Sequence, residues 1–124
     1  MKRLQIFKPG TFVASNGKSY TFTEVDLIAV ARGYDPAKHE APLCVGHPKD
    51  DAPAYGWAKS AAFAEGSLEI EPHQVEPQFA ELVAAGRFKK RSAAFYPPDS
   101  KQNPTPGAWY LRHVFSPIAA LDAT

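Results

Sequence analysis

The sequence predicts a mostly β domain with packed helices, of the α+β class, and three observations lead to that prediction. Twelve prolines among 124 residues favour short strands and irregular loops over a helical bundle. Hairpin turns are signalled at Asn16-Gly17 and at Glu65-Gly66, each between two strand-like segments. Two stretches with helix-type spacing stand between the strands, so we expect helices that cover a sheet.

The elements can be placed in chain order. Alternating or continuous apolar residues predict strands at 4–7, 12–13, 19–22, 42–45, 54–63, 67–71, 87–96 and 108–115. Thr23 is the expected cap of the first helix, with Asp26 as an aspartate version of the capping box, and Gly33 ends it. The second helix is expected over 76–85, and Gly86 is its C-terminal cap.

Length and charge limit the classes of function. The chain is long enough for one hydrophobic core, and its net charge of +1 creates no strong field toward nucleic acid or membrane. No apolar run could cross a bilayer, and residues 1–8 lack the apolar segment of a signal peptide. Cys44 is the only cysteine, which fits a reducing cytoplasm.

The stretch around Ser92 has the features of a strand that carries a nucleophile. Strand alternation places Ser92 and Ala94 on one face and Arg91, Ala93 and Phe95 on the other. Because the neighbours of Ser92 are small, an incoming peptide would find room beside its hydroxyl group. We therefore take this serine as the candidate nucleophile.

A serine hydroxyl needs a base, and histidine suits this role because its pKa of about 6.5 lies near neutral pH. His47 follows a buried strand and His113 lies in the last strand, so three segments offer nucleophile, base and orienting group. Either Asp50 or Asp51 is an alternative to His113 as the group that orients the imidazole. The residues by themselves leave this choice open.

Two further expectations concern packing. Alternation in the last strand would place Trp109, Leu111 and His113 on one face. Gly56, beside Trp57, marks either a bulge or a point where another backbone or a ligand comes close.

The sequence supports two other kinds of site, a metal site and a nucleic-acid site, less strongly. Side chains that could bind a metal are present, namely His39, His47, Asp50 and Asp51. Their spacing matches no zinc motif, so we expect neither a metal nor a cofactor. The basic run 89–91 with two following aromatic residues would suit nucleic acid, but the overall basic charge of such modules is missing.

Four blocks of the sequence carry a family resemblance. They are Val45-Gly46-His47-Pro48, Ala52-Pro53-Ala54-Tyr55-Gly56-Trp57, Phe88-Lys89-Lys90-Arg91-Ser92-Ala93-Ala94-Phe95-Tyr96-Pro97-Pro98 and Tyr110-Leu111-Arg112-His113-Val114. In content and order they resemble the Mu-like phage I protein family, proteases that mature phage procapsids. The similarity runs from about residue 7 to 114. Such proteins are similar in plan to other phage prohead proteases and to the herpesvirus assemblins.

The resemblance implies a barrel-like β domain with helices around it and the activity of a serine endopeptidase. Carried over to this sequence, it implies His47 as base, Ser92 as nucleophile and His113 as third catalytic member. Residues 1–114 would form the protease domain. Residues 115–124 would be a short C-terminal tail in place of the scaffold region that relatives carry.

The resemblance also implies partners and a location. The substrates would be the phage scaffolding protein and the major capsid protein, with the chain itself as a further substrate. The site of action would be the assembling procapsid in the bacterial host cytoplasm. Self-association is expected because the apolar Trp109-Tyr110 and Phe115-Pro117-Ile118 segments would be exposed without the C-terminal region of the relatives. The alternative is a non-catalytic assembly module that keeps the protease fold and only binds capsid or scaffold chains.

Overall fold

The computed structural model describes residues 3–13, 17–45, 54–86 and 91–116, and within them the chain is mostly β with two helices. The strands are β1 Leu4–Phe7, β2 Gly10–Val13, β3 Ser19–Phe22, β4 Pro42–Val45, β5 Gly56–Ala64, β6 Ser67–His73, β7 Ser92–Tyr96 and β8 Tyr110–Ser116. The helices are α1 Glu24–Gly33 and α2 Pro77–Ala84. The predicted mostly β, α+β class is confirmed.

Six of the strands form one sheet in the order β1-β6-β5-β4-β8-β7, and β2 pairs with β3 as a separate ribbon. Neighbours in the large sheet are antiparallel except β4 and β8, which are parallel. The sheet curls into a half-barrel, so its two edge strands face each other. The rings of Phe7 and Phe95 meet across that gap at 5.0 Å between centroids.

Both predicted hairpins are confirmed. β2 and β3 pair from Gly10 with Phe22 to Val13 with Ser19. β5 and β6 are joined by Glu65 and Gly66, whose φ angles of 52° and 78° are both positive. Positive φ at both central residues is the signature of the turn that matches the twist of a two-residue hairpin.

α1 begins at the predicted cap Thr23, and α2 begins after Glu76, which was expected as its first residue and is its cap. The Thr23 hydroxyl accepts from the Asp26 N–H at 3.1 Å, and the Asp26 carboxylate accepts from the Thr23 N–H at 2.8 Å, which completes the capping box. The Glu76 carboxylate accepts from the Phe79 N–H at the start of α2. Phe79 is buried and stacks on Tyr55. Neither helix in this described part of the chain is long and apolar enough to span a membrane.

An aromatic cluster fills the open side of the half-barrel, under the β2–β3 ribbon. Phe22 lies at its centre, with ring centroids of Phe7, Phe95 and Trp109 at 5.2, 5.0 and 4.6 Å. Tyr110 is only 1% exposed. The expectation that Trp109 and Tyr110 are exposed is therefore wrong, because both rings are used in packing. Phe115 is half-buried, and Pro117 and Ile118 lie outside the described residues.

Hydrogen bonds of the Tyr34 and Tyr110 hydroxyl groups connect the loop 34–41 with the sheet. The Tyr34 hydroxyl donates to the Ala58 carbonyl at 2.6 Å and accepts from the Ala41 N–H at 2.9 Å. The Tyr110 hydroxyl lies 2.7 and 2.8 Å from the carbonyl oxygens of Asp35 and His39. Burial raises the pKa of Tyr34 to about 12 and also raises the pKa of Tyr110.

Gly56 is a point of close approach, one of the two alternatives that its position beside Trp57 left open. A Cβ atom at Gly56 would lie 3.0 Å from Leu43 Cδ1 and 3.2 Å from Val75 Cγ2. We expect Gly56→Ala to lower the free energy of unfolding by about 1–3 kcal/mol, because overpacked cores must shift. Gly33→Ala is the matched control, since its Cβ would meet only Thr105 at an ordinary 3.6 Å. Urea unfolding of both variants measures the difference, and equal stability would contradict the packing.

Tyr34 should make stability depend on alkaline pH. Its raised pKa means that the folded state holds the hydroxyl proton more tightly than the unfolded state does. The contribution of the protonated hydroxyl to the free energy of unfolding is therefore complete below about pH 10 and disappears as pH rises through about 12. The tyrosinate also cannot donate to the Ala58 carbonyl. We expect the stability difference between the parent and Tyr34→Phe to shrink between pH 10 and pH 12 in urea titrations. A constant difference would contradict the assignment.

Candidate functional site

Ser92 is the first residue of β7, and its surroundings follow the predicted alternation. Ser92 pairs with Phe115 and Ala94 pairs with His113, so these four share one face of the sheet. Ala93, on the opposite face, is buried in the core. The predicted assignment of Ser92 and Ala94 to one face and Ala93 to the other is confirmed.

The register of β7 with β8 shifts by one residue beyond this point. Ala94 is opposite His113, but Phe95 is opposite Leu111, so Arg112 is an extra residue in β8. Such a β-bulge changes the phase in which side chains alternate between the two faces. Leu111 therefore lies in the core, while His113 lies on the outer face.

This bulge corrects one expectation from the sequence. Leu111 and His113 were expected on the same face, and they lie on opposite faces because Arg112 interrupts the alternation. Trp109 precedes the strand and packs on Tyr20 and Phe22. Strict alternation from Leu111 would have buried His113 in the hydrocarbon core.

The outer face brings Ser92 and His113 together as diagonal neighbours on adjacent strands. Such neighbours lie roughly 7 Å apart, within the combined reach of a serine and a histidine side chain. Ser92 is half-buried, whereas His113 is only 7% exposed and its ring lies 5.6 Å from that of Phe115. Two of the three candidate catalytic residues are thus on one face of the sheet.

The third candidate, His47, lies outside the described residues, as do Asp50 and Asp51 and the basic residues 89–90. The structure describes the strand that leads toward His47. β4 ends at Val45, and Val45 pairs with Ser116 at the end of β8 where Ser92 of β7 also begins its pairing. The ends of three adjacent strands therefore meet at this corner of the sheet.

The structural role of His39 was not predicted, because the residue was considered only as a metal ligand. Its Nε2 lies 2.9 Å from the carbonyl oxygen of Arg112, the bulge residue. A carbonyl can only accept, so Nε2 carries the proton. The His39 ring also packs edge-on against Tyr96 and Tyr110. Because His39 and Arg112 are 73 residues apart, no local pattern in the sequence predicts this hydrogen bond.

Cys44, His73 and Glu40 are the other polar groups in the described part of the chain that we considered for chemistry. Cys44 is buried, and burial raises the pKa of its thiol, which makes it a poor nucleophile. His73 Nε2 lies 2.8 Å from a carboxylate oxygen of Glu40, and both side chains are partly buried. Within residues 3–13, 17–45, 54–86 and 91–116, no three His, Cys, Asp or Glu side chains are grouped to hold a metal ion.

The two arginines next to the candidate residues have defined positions. Arg91 Nε donates to the Gln5 carbonyl of β1 at 2.6 Å, and desolvation lowers the pKa of its guanidinium. Arg112 lies over the Tyr96 ring, with its guanidinium carbon 5.3 Å from the ring centroid. Both cations are therefore held near the ends of the β7–β8 pair.

The chain matches no family model, no curated protein and no solved structure. The function of this corner of the sheet must therefore follow from the geometry of Ser92 and His113, taken together with the four sequence blocks.

Proposed function

We propose that the protein is a serine endopeptidase of the phage procapsid maturation type. The observation that carries the proposal is the common face of Ser92 and His113 on β7 and β8, created by the bulge at Arg112. The resemblance of the four blocks to Mu-like phage I proteins supports the same assignment. Its fold type would be that of the prohead proteases and assemblins, for which a curled half-barrel is a suitable framework.

Ser92 is the nucleophile in this proposal. The small side chains of Ala93 and Ala94 leave space beside Ser92. Ser92 is half-buried, and its side chain lies on the face opposite the core. Its oxygen attacks the carbonyl carbon of the scissile peptide bond, and its proton passes to His47. The tetrahedral intermediate collapses to an acyl-enzyme when the C–N bond breaks and His47 returns the proton to the leaving amine.

Water then attacks the ester carbonyl, and the same base takes its proton, which releases the second product and restores Ser92. His113 orients His47 and stabilises the imidazolium that forms in each step. A buried histidine suits such a role because its ring is held by packing, here beside Phe115. Backbone N–H groups near the catalytic strands, with Arg91 or Arg112, would stabilise the oxyanion.

The substrates follow from the resemblance. They are the scaffolding protein and the major capsid protein, with self-cleavage as a further reaction, inside the assembling procapsid in the bacterial host cytoplasm. The rival is a non-catalytic assembly module that binds the same chains. The two proposals differ in whether Ser92 is chemically reactive, and this is directly measurable.

Ser92→Ala should lose about 10³-fold or more of the rate of peptide cleavage, because the nucleophile is removed. A fluorophosphonate probe should add its mass to Ser92 of the parent protein, as read by peptide mass spectrometry. Ser60→Ala is the matched control, since Ser60 is also a half-buried strand serine but lies on β5.

Retained turnover in Ser92→Ala would exclude this serine as the nucleophile. A parent that neither reacts with the probe nor cleaves any peptide would favour the assembly module. Circular dichroism of each variant separates loss of the fold from loss of the hydroxyl.

His113→Gln should be one to two powers of ten less damaging than Ser92→Ala, because an orienting group is less demanding than a nucleophile. The measurement is the cleavage rate of His113→Gln beside Asp50→Asn and Asp51→Asn. His73→Gln, which changes a histidine that contacts Glu40, is the control. A parent-like rate in His113→Gln with a collapse in either aspartate variant would move the third role to that aspartate.

A further inference from the structure

The extra residue of the β8 bulge is held by a side chain from another part of the fold. The pairing of β8 with β7 passes over Arg112, and the pairing of β8 with β4 begins at Val114, so neither ladder that the structure describes places a residue opposite Arg112. His39 of the loop 34–41 supplies a partner, because its Nε2–H donates to the Arg112 carbonyl at 2.9 Å. A long-range hydrogen bond therefore acts at the point where the strand register changes.

That hydrogen bond acts on the peptide group that leads into His113. The Arg112 carbonyl and the His113 N–H belong to one planar unit, so holding the oxygen also sets the direction in which the chain enters His113. Leu111 lies in the core and Val114 pairs with β4, so this peptide group lies between two anchored residues. Its orientation decides how the His113 ring stands on the outer face beside Ser92.

His39 is itself held in a defined position. Its ring packs edge-on against Tyr96 and Tyr110, with centroid distances of 5.3 and 5.9 Å, and these two tyrosines pair with each other across β7 and β8. Its backbone N–H donates to the Asp35 carbonyl at 3.1 Å, and the Tyr110 hydroxyl lies 2.8 Å from its carbonyl oxygen. The ring therefore has a fixed orientation where its Nε2 meets the Arg112 carbonyl.

Tyr96 connects the same elements a second time. The guanidinium carbon of Arg112 lies 5.3 Å from the centroid of the Tyr96 ring, against which the His39 ring also packs. The backbone carbonyl of Arg112 and its side chain are therefore both held where the loop 34–41 contacts the β7–β8 pair. Because two interactions act on one residue, the bulge has a defined orientation as well as a defined register.

We infer that His39 is a positioning residue for the Ser92–His113 site. Its Nε2–H fixes the Arg112–His113 peptide group, and through that group the ring that orients the catalytic base. The inference rests on the proposed function, because this positioning matters for chemistry only if Ser92 is the nucleophile. The neutral Nε2–H tautomer and the imidazolium both carry the donated proton, so the contact is made in either protonation state.

Two variants of His39 separate its hydrogen bond from its packing. In His39→Gln the side-chain amide nitrogen takes about the place of Nε2 and keeps a donor, but the ring is lost. In His39→Phe the ring is kept and the donor is lost. If the hydrogen bond positions His113, His39→Gln should resemble the parent and His39→Phe should not, whereas a role in packing alone predicts the reverse.

The first measurement follows the reactivity of Ser92 in the full chain. The rate of labelling by a fluorophosphonate probe is measured over a range of probe concentrations, and peptide mass spectrometry identifies the labelled residue. We expect His39→Phe to lower the limiting rate about tenfold and to change the half-saturating concentration less than about twofold, because misplacing a catalytic group costs rate. His39→Gln should stay close to the parent. A parent-like limiting rate in His39→Phe would overturn the inference.

The second measurement does not depend on catalysis. The NMR shift of the Arg112 carbonyl carbon reports the hydrogen bond, and the proton and carbon shifts of the His113 ring report the surroundings of that ring. We expect both sets of signals to move in His39→Phe and to stay close to the parent in His39→Gln. These changes in a parent that the probe does not label would support the positioning of His113 and place the failure in the proposed function. Unchanged His113 signals in His39→Phe would overturn the inference.

Tyr34→Phe is the matched control, because it removes the hydrogen bonds of the Tyr34 hydroxyl to Ala58 of β5 and to Ala41 at the end of the same loop. It should leave the labelling rate and the ring signals close to the parent. Equal changes in Tyr34→Phe and His39→Phe would assign the effect to the loop as a whole and overturn the inference. Circular dichroism checks the fold of each variant, and His39→Leu replaces His39→Phe as the donor-free variant if the latter does not fold.

Discussion

The β-bulge at Arg112 is the constraint on which the candidate site depends. β8 must pack Leu111 and Val114 into the core, yet these residues are three apart and a regular strand would send them to opposite faces. One extra residue resolves the conflict, and it also turns His113 to the outer face beside Ser92. The loop 34–41 supports the bulge from outside, since His39 donates to the Arg112 carbonyl.

The second organising feature is how the curled sheet is closed. The edges at β1 and β7 meet through aromatic rings and one arginine, with the β2–β3 ribbon covering the opening. Side-chain closure holds the curvature without using up all the space between the edges. It therefore leaves a groove at the strand that carries Ser92, which a barrel closed by a continuous ladder would not have.

Local signals in the sequence were sufficient to predict most of the strands, turns and helices. The Asn-Gly and Glu-Gly turns, the Thr23–Asp26 capping box and the glycine at the end of α2 each specify a few neighbouring residues, and the structure contains all the elements that they predicted within its described ranges. The alternation around Ser92 was also correct, because β7 runs without interruption through Ala94. The grouping of Ser92 with His113 was a hypothesis from residue types that the resemblance supported, since no spacing joins residues on separate strands.

The sequence by itself determined the fold class, the strands and helices, and the face on which Ser92 lies, because these depend on contacts between residues close in the chain. Only the tertiary structure decided the strand order, the bulge at Arg112, the contact of His39 with its carbonyl and the groove between β1 and β7. Each of these depends on which distant segments meet across the core. A strand pattern does not encode its own register, so the face of His113 was decided when β8 packed between β4 and β7.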